Sequence, residues 1–211
     1  MLALATVAVA AVLAGGGAPA FEGRSLPIEG KVRERIEGSS WHSGCPVGLG
    51  RLRLLELSYR GFDGQSHRGR LVVHRRHDDE IIAVFKRLYA IGYPIRRMEL
   101  IDRYGASDHR SMAADNTSGF NCRYVAGTNR WSMHAYGLAI DLNPVENPYV
   151  SGSHVSPPAG REYADRSGDA AGMIHDGDRV VKAFARRAGW EWLGDGPGPV
   201  RDYQHFSADG T

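Results

Sequence analysis

Ser132-Met133-His134-Ala135-Tyr136-Gly137-Leu138-Ala139-Ile140-Asp141 is the stretch that decides the fold, together with the later segment Asp202-Tyr203-Gln204-His205. His134, Asp141 and His205 offer two imidazoles and one carboxylate. Three such ligands can hold a catalytic zinc and leave one coordination position open for water. Asp202, which lies three residues before His205, is then a candidate proton carrier.

The spacing within this stretch predicts a turn that leads into a strand. Asp141 follows His134 by seven positions, a spacing that does not place both on one helical face as His-x-x-x-His would. Gly137 lets the backbone turn tightly, and residues 138–142 are a short apolar run with Asp141 near its end. A lone histidine is usually structural, and we assign no role to the other seven, which lie in polar or loop context: His42, His67, His74, His77, His109, His154 and His175.

The composition limits the classes of protein that remain. The chain has 211 residues, and its 26 basic against 24 acidic residues give a formal charge of +2. This balance provides no basic stripe of the kind that binding to a phosphate backbone requires, so we expect no nucleic-acid partner. The length suits a single globular domain over residues 21–211. We expect a monomer.

The N-terminus predicts export. Residues 1–14 are almost wholly apolar, and Ala18-Pro19-Ala20 has the small-x-small pattern of a signal-peptidase site. We therefore expect a signal peptide over residues 1–20 and a secreted or cell-envelope protein outside the cytoplasmic membrane, without a membrane span after cleavage. No Lys or Arg precedes the apolar run, and an uncleaved N-terminal anchor is the alternative.

Two cysteines, Cys45 and Cys122, are present. In an exported chain, two cysteines most simply form one disulfide. Two separate buried thiols are the alternative.

Local patterns predict an α+β fold with a small, mostly antiparallel sheet and helices packed against it. Residues 21–50 are expected to be an extended arm or a loosely packed entry, and residues 104–130 mostly loop. Within the single domain, residues 21–75 form the arm and first strands, and residues 76–211 the catalytic core. The predicted elements are strands at Arg51–Tyr59, Gly69–His74, Ile95–Ile101, Leu138–Leu142 and around Gln204–Phe206, and helices at Asp78–Ile91, capped by Asp78, and Arg179–Ala188, ended by Gly189.

The motif resembles the signature of a known family. Its pattern is Ser-x-His-x-x-Gly-x-Ala-x-Asp, formed by Ser132, His134, Gly137, Ala139 and Asp141, and it is followed by an acid three residues before a histidine. This is similar to the VanY-type D-alanyl-D-alanine carboxypeptidases, which belong with the L-alanyl-D-glutamate peptidases and the hedgehog-like zinc fold. The resemblance covers roughly residues 80–207 and implies that fold.

The resemblance implies a role for each matching residue. His134, Asp141 and His205 correspond to the zinc ligands, and Asp202 to the catalytic carboxylate, where many relatives have Glu. Arg123, in Ser118-Gly119-Phe120-Asn121-Cys122-Arg123, corresponds to the oxyanion-stabilising Arg but is displaced by two residues from the usual form.

Two further residues are expected near the substrate. Ser132 either orients a ligand or the substrate, or caps a turn. Tyr136 either lines the cleft or packs.

Together with the export signal, the resemblance implies an exported zinc peptidase that acts on the stem peptides of peptidoglycan and removes the terminal D-alanine. Cleavage between L-Ala and D-Glu is the first alternative. A non-catalytic, zinc-containing wall-binding module is the second, and the acid at Asp202 favours catalysis over it.

Overall fold

A computed structural model describes residues 19–196 and 198–210. The chain is α+β, as predicted, and its strands form several small sheets rather than one. The strands are β1 Gly23–Leu26, β2 Leu52–Arg60, β3 Ser66–His74, β4 Arg97–Met98, β5 Asn116–Thr117, β6 Ala139–Asp141, β7 Tyr149–Ser151, β8 His154–Ser156, β9 Glu191–Trp192, β10 Val200–Asp202 and β11 His205–Ser207. The α-helices are α1 Gly30–Ile36, α2 Asp78–Ala90, α3 Asp108–Ala113 and α4 Arg179–Ala188, and short 3-10 turns span Leu49–Arg51, Ile101–Tyr104, Met133–Tyr136 and Pro158–Tyr163.

Three of the sheets are antiparallel and have three strands each. Their strand orders are β1-β2-β3, β6-β11-β9 and β10-β7-β8. The fourth sheet is the parallel pair β4-β5. Two of the antiparallel sheets are built from strands of two or three residues, so packing and side-chain hydrogen bonds must hold their strands in place.

The sheet β1-β2-β3 separates two hydrophobic clusters. Alternate residues of a strand point to opposite faces, and in β2 Leu55 and Leu57 join the cluster that includes α2 and α4. Leu52 and Leu54 join the second cluster on the other face, with Ile36 of α1. The apolar content of β2 therefore reflects burial on both faces.

The prediction that residues 21–50 form an extended arm or a loosely packed entry is wrong. β1 pairs with β2 in antiparallel register, with Gly23 opposite Leu57, and α1 follows. Ile28 and Ile36 are buried in the second cluster. Their burial depends on the far side of the sheet, which the Gly-rich local sequence does not reveal.

Two smaller predictions, for residues 95–101 and for the cap of α2, also differ from the structure. The predicted strand Ile95–Ile101 is reduced to β4, and a 3-10 turn begins at Ile101. Residues 104–130 are mostly loop, as predicted, but they also contain α3, which Ser107 caps by accepting a hydrogen bond from Arg110 N at 3.3 Å. Asp78 is the first residue of α2 rather than its cap, and its carboxylate accepts from the hydroxyl of Ser25 at 2.6 Å.

A buried polar network holds the chain directly after β6. Asn147 donates from Nδ2 to Gly172 O at 2.8 Å and accepts at Oδ1 from Ile174 N at 2.8 Å. Asn143 donates from Nδ2 to Pro94 O at 2.8 Å. These amides join three separate segments and thereby hold the chain that follows β6 in place.

The predicted signal peptide lies almost entirely outside the described residues, which begin at Pro19. Among residues 19–196 and 198–210, no helix combines the length and apolar character that crossing a bilayer requires.

The predicted disulfide between Cys45 and Cys122 is present and links residues 77 positions apart, with Cα atoms 5.8 Å apart. It fastens the segment after α1 to the strip that leads to His134. A crosslink that closes so long a loop restricts the unfolded chain strongly.

We predict that replacing both cysteines by alanine lowers the free energy of unfolding by about 2–4 kcal/mol, since the unfolded chain regains the entropy of an open loop. Denaturant titration of oxidised wild type and the double variant measures this difference. As a control, reducing the wild type should produce a similar loss, and equal stability of all three samples would contradict the prediction.

Candidate metal centre

Asp141 and His205 face each other across a strand pair. β11 pairs with β6 in antiparallel register, and His205 is the Cα partner of Asp141. Their neighbours Ile140 and Phe206 are fully buried in the main hydrophobic cluster, where Phe206 stacks on Phe184 with ring centroids 3.9 Å apart. Because side chains alternate along a strand, Asp141 and His205 project together on the opposite face.

A tight turn brings His134 to the same place. The hydroxyl of Ser132 caps the turn by accepting from His134 N at 3.3 Å. Gly137 ends it with φ 69°, a conformation that favours glycine. A Cβ at Gly137 would also lie 2.7 Å from the backbone nitrogen of His74, so the motif needs glycine here for two reasons.

Three donor atoms converge between the turn and the strand pair. His134 Nε2 lies 3.2 Å from Asp141 Oδ2 and 3.2 Å from His205 Nδ1, and His205 Nδ1 lies 2.9 Å from Asp141 Oδ1. Tetrahedral ligands about 2.0–2.1 Å from a zinc ion are roughly 3.3 Å apart. All three side chains are buried. The donor set and its spacing fit a zinc ion.

The remaining ring nitrogen of His134 orients the imidazole. His134 Nδ1 is 2.7 Å from the carbonyl oxygen of Gly119, so that Nδ1 carries the proton and donates it. This leaves the lone pair on Nε2 directed at the other two donors. A hydrogen bond of this kind is the usual way in which proteins orient a metal-binding histidine.

The three groups also shift one another's proton affinity. Burial alone would raise the pKa of Asp141, but the imidazoles of His134 and His205 hold it well below its usual range. Burial alone would lower the pKa of His205, but its hydrogen bond to Asp141 and the charge of that carboxylate raise it. A carboxylate that remains ionised in a buried site is suited to bind a cation.

Asp202 lies beside this cluster at the end of β10. It is half-buried, and Gln204 donates from Nε2 to its Oδ1 at 3.2 Å. Burial, with a further contribution from the charge of Asp141, raises the pKa of Asp202 to about 6. A carboxyl group with such a pKa can take up and release a proton near neutral pH.

A cavity of about 580 Å³ opens over the three donors and Asp202. Two of the other predicted site residues, Arg123 and Ser132, also line it, whereas Tyr136 is not among the lining residues. The lining residues are Asp108, Met112, Arg123, Val125, Ala126, Arg130, Trp131, Ser132, Met133, His134, Asp141, Tyr149, Ser151, His154, Ser156, Leu193, Val200, Asp202, Gln204 and His205.

Arg123 is held in the cavity wall by an acid. Its Nη2 lies 2.9 Å from Asp108 Oδ2, and both side chains are about 29% exposed. Asp108 is the first residue of α3, the helix that the sequence did not predict. The ion pair fixes the guanidinium so that it can donate toward the cavity.

Several residues of the cavity wall were not predicted from the sequence. Tyr149 is the Cα partner of Asp202 in the pairing of β10 with β7, and His154 is on the adjoining strand β8. Only the pairing of distant strands brings them near Asp202. Gln204 could have been found, because it lies between Asp202 and His205 and contacts the former.

A second group of potential ligand atoms, from His42, Cys45 and Cys122, also lies within 4.8 Å in the described part of the chain. Its two sulfur atoms form the disulfide. They are not available as thiolates, which are the form of cysteine that binds metals.

Comparison with known proteins shows which family part of the chain is similar to. No curated protein and no solved structure matches the chain. Residues 126–208 match a family model described as D-alanyl-D-alanine carboxypeptidase. The matched region includes His134, Asp141, Asp202 and His205. This match confirms the resemblance that the motif indicates: residues 126–208 are similar to the D-alanyl-D-alanine carboxypeptidase family.

Proposed function

We propose that this protein is an exported zinc peptidase that hydrolyses peptidoglycan stem peptides as a D-alanyl-D-alanine carboxypeptidase. The observation that carries the proposal is the convergence of His134, Asp141 and His205 at the floor of a cavity that also holds Asp202. Three protein ligands leave a fourth tetrahedral position open, which is typical of catalytic zinc. The family match supports a peptidase and a peptidoglycan-related substrate.

His134 Nε2, Asp141 and His205 Nδ1 would hold the zinc ion. When bound, zinc lowers the pKa of a coordinated water and polarises the peptide carbonyl. The family match and the donor set both support this metal.

Asp202 and Arg123 would handle the proton and the developing negative charge. Asp202 accepts the proton of the attacking water and passes it to the leaving amine, which suits a carboxyl group with a raised pKa. Arg123 donates to the oxyanion of the tetrahedral intermediate, and Asp108 keeps its guanidinium in place. Ser132 acts through the turn that it caps, which positions His134.

The disulfide supports the proposed location. Disulfides persist in oxidising compartments and are rare in the cytosol. We propose that residues 1–20 direct export and that residues 21–211 form one domain, acting as a monomer.

The bond that is cut can be determined with defined muropeptides. Mass spectrometry after incubation with the zinc-loaded protein should show the loss of one alanine from a pentapeptide stem. Release of the whole stem tail would show L-alanyl-D-glutamate cleavage instead. Intact muropeptides would contradict a peptidase and favour a wall-binding module.

We predict that zinc stabilises the folded protein through Asp141. At a free zinc concentration near 100 times Kd, binding contributes about 2.7 kcal/mol, which corresponds to a rise in Tm of roughly 5–10 °C for a chain of this size. Asp141→Asn should lose this rise, because the substitution removes a ligand charge but keeps the shape of the side chain.

Thermal unfolding with and without zinc, in both proteins, measures this effect. His154→Ala serves as the control, since His154 lies in the same cavity wall but outside the donor cluster, and it should keep the rise. An equal rise in the Asp141 variant would exclude that carboxylate as a ligand.

We predict that Asp202→Asn lowers kcat by about 10²–10⁴-fold, since it removes the group that transfers the proton. Zinc content should stay at the wild-type level, because Asp202 is not one of the three convergent donors. Steady-state kinetics on a pentapeptide stem, with metal analysis of the same samples, measures both quantities.

Asp195→Asn is a matched control, because Asp195 is exposed and does not line the cavity. It should leave kcat unchanged. Full turnover in the Asp202 variant would remove this carboxyl group from the mechanism.

A further inference from the structure

Two arginines line the cavity over the metal centre, and their surroundings differ. Arg123 forms an ion pair with Asp108 at 2.9 Å. Arg130 is exposed, and within the part of the chain that the structure describes its guanidinium has no acidic partner; its two hydrogen bonds are made by its backbone. Asp108 therefore neutralises the charge of Arg123, whereas no acidic side chain of the described residues neutralises that of Arg130.

The loop that carries Arg130 is closed on itself. Val125 N donates to Arg130 O at 2.8 Å, and Arg130 N donates to Thr128 Oγ1 at 3.1 Å. The rings of Tyr124 and Trp131 stack across its base, with centroids 3.9 Å apart. These contacts hold the backbone of Arg130 at the cavity rim while its side chain stays free to meet a ligand.

The acidic side chains that line the cavity have partners other than Arg130. Asp108 is paired with Arg123, and Asp141 lies between two imidazoles. Asp202 accepts a hydrogen bond from Gln204 and is the proposed proton carrier. The positive charge of Arg130 thus remains available for an anion brought by the substrate.

We infer that Arg130 forms a carboxylate-binding subsite that selects the substrate, while Arg123 serves the oxyanion. This inference rests on the proposed function. A guanidinium binds a carboxylate through two parallel hydrogen bonds, which gives both orientation and affinity. The neutral part of a peptide has no carboxylate, so it needs no guanidinium that donates two parallel hydrogen bonds.

Two carboxylates of a stem peptide have the required chemistry. One is the free C-terminus beyond the terminal D-alanine, and the other is the α-carboxylate of a γ-linked D-glutamate. Recognition of the first suits a carboxypeptidase, which must distinguish a chain end from a continuing chain. Recognition of the second suits cleavage farther inside the stem.

The experiment compares Arg130→Gln with wild type on three synthetic stem pentapeptides: the free acid, its C-terminal amide, and the free acid with D-isoglutamine in place of D-isoglutamate. In wild type, neutralising the recognised carboxylate should lower kcat/KM by about 10–100-fold, the usual range for a lost charged hydrogen-bond pair. The change should fall mainly on KM, as for an interaction that is present before and during the reaction. In Arg130→Gln the same neutralisation should have no effect.

Two further variants separate charge from structure. Arg130→Lys keeps the charge but loses the paired geometry, so it should retain part of the preference. Arg186→Gln, which removes an exposed arginine on α4 outside the cavity, should behave as wild type.

Titration of the zinc-depleted proteins with the same three peptides gives a measurement that does not depend on turnover. Wild type should bind the free acid about 10–100-fold more tightly than the peptide that lacks the recognised carboxylate, and Arg130→Gln should not. An effect confined to the amide identifies the terminal carboxylate, and one confined to isoglutamine identifies the internal carboxylate; each supports the inference.

A preference for the free acid that persists in Arg130→Gln would overturn the inference while leaving the peptidase intact. So would equal handling of all three peptides by wild type. Failure of wild type to cleave any of the peptides would instead contradict the proposed function, and the titration would then decide the role of Arg130 by itself.

Discussion

The antiparallel pairing of β6 with β11 is the constraint on which the site depends. Because Asp141 is the Cα partner of His205, one backbone register places two of the three donors side by side. A slip by one residue would turn every side chain of β11 to the other face. His205 would then enter the hydrophobic cluster and Phe206 would face the cavity. The cost of exposing Phe206, and of placing the imidazole of His205 among apolar side chains away from Asp141, protects the register.

Other parts of the fold hold that strand pair from both sides. Phe206 stacks on Phe184 of α4, and the network around Asn147 anchors the chain beyond β6. The turn with His134 rests against β3, where His74 N donates to Gly137 O at 2.8 Å. The long hairpin β2-β3 thus separates the two hydrophobic clusters and also supports the turn that carries His134. This packing keeps the two imidazoles and the carboxylate close together in a buried site.

The sequence predicted those elements whose causes are local. α4 runs over the predicted residues because Asp178 caps it, accepting from Val180 N at 2.7 Å, and Gly189 ends it with φ 68°. The strand predicted over Arg51–Tyr59 likewise corresponds to β2, Leu52–Arg60. The α+β class and the disulfide were also predicted correctly.

The remaining features depend on contacts between distant segments. β1 and α1 were missed because their apolar residues are few and become buried only against the far face of β2-β3. Tyr149 and Arg130 gave no recognisable pattern, since the strand pairing and loop closure that place them at the cavity cannot be read locally. The donors His134, Asp141 and His205 were proposed from a motif, and the structure brings their atoms together.

X-ray absorption spectroscopy of the zinc-loaded protein tests the central claim most directly, because it reports the atoms around the metal. The structure predicts one zinc per chain with two imidazole nitrogens and one carboxylate oxygen from the protein, at about 2.0–2.2 Å. A fourth light-atom ligand from solvent should complete the shell. A sulfur ligand at about 2.3 Å, or a shell without two imidazoles, would contradict the account.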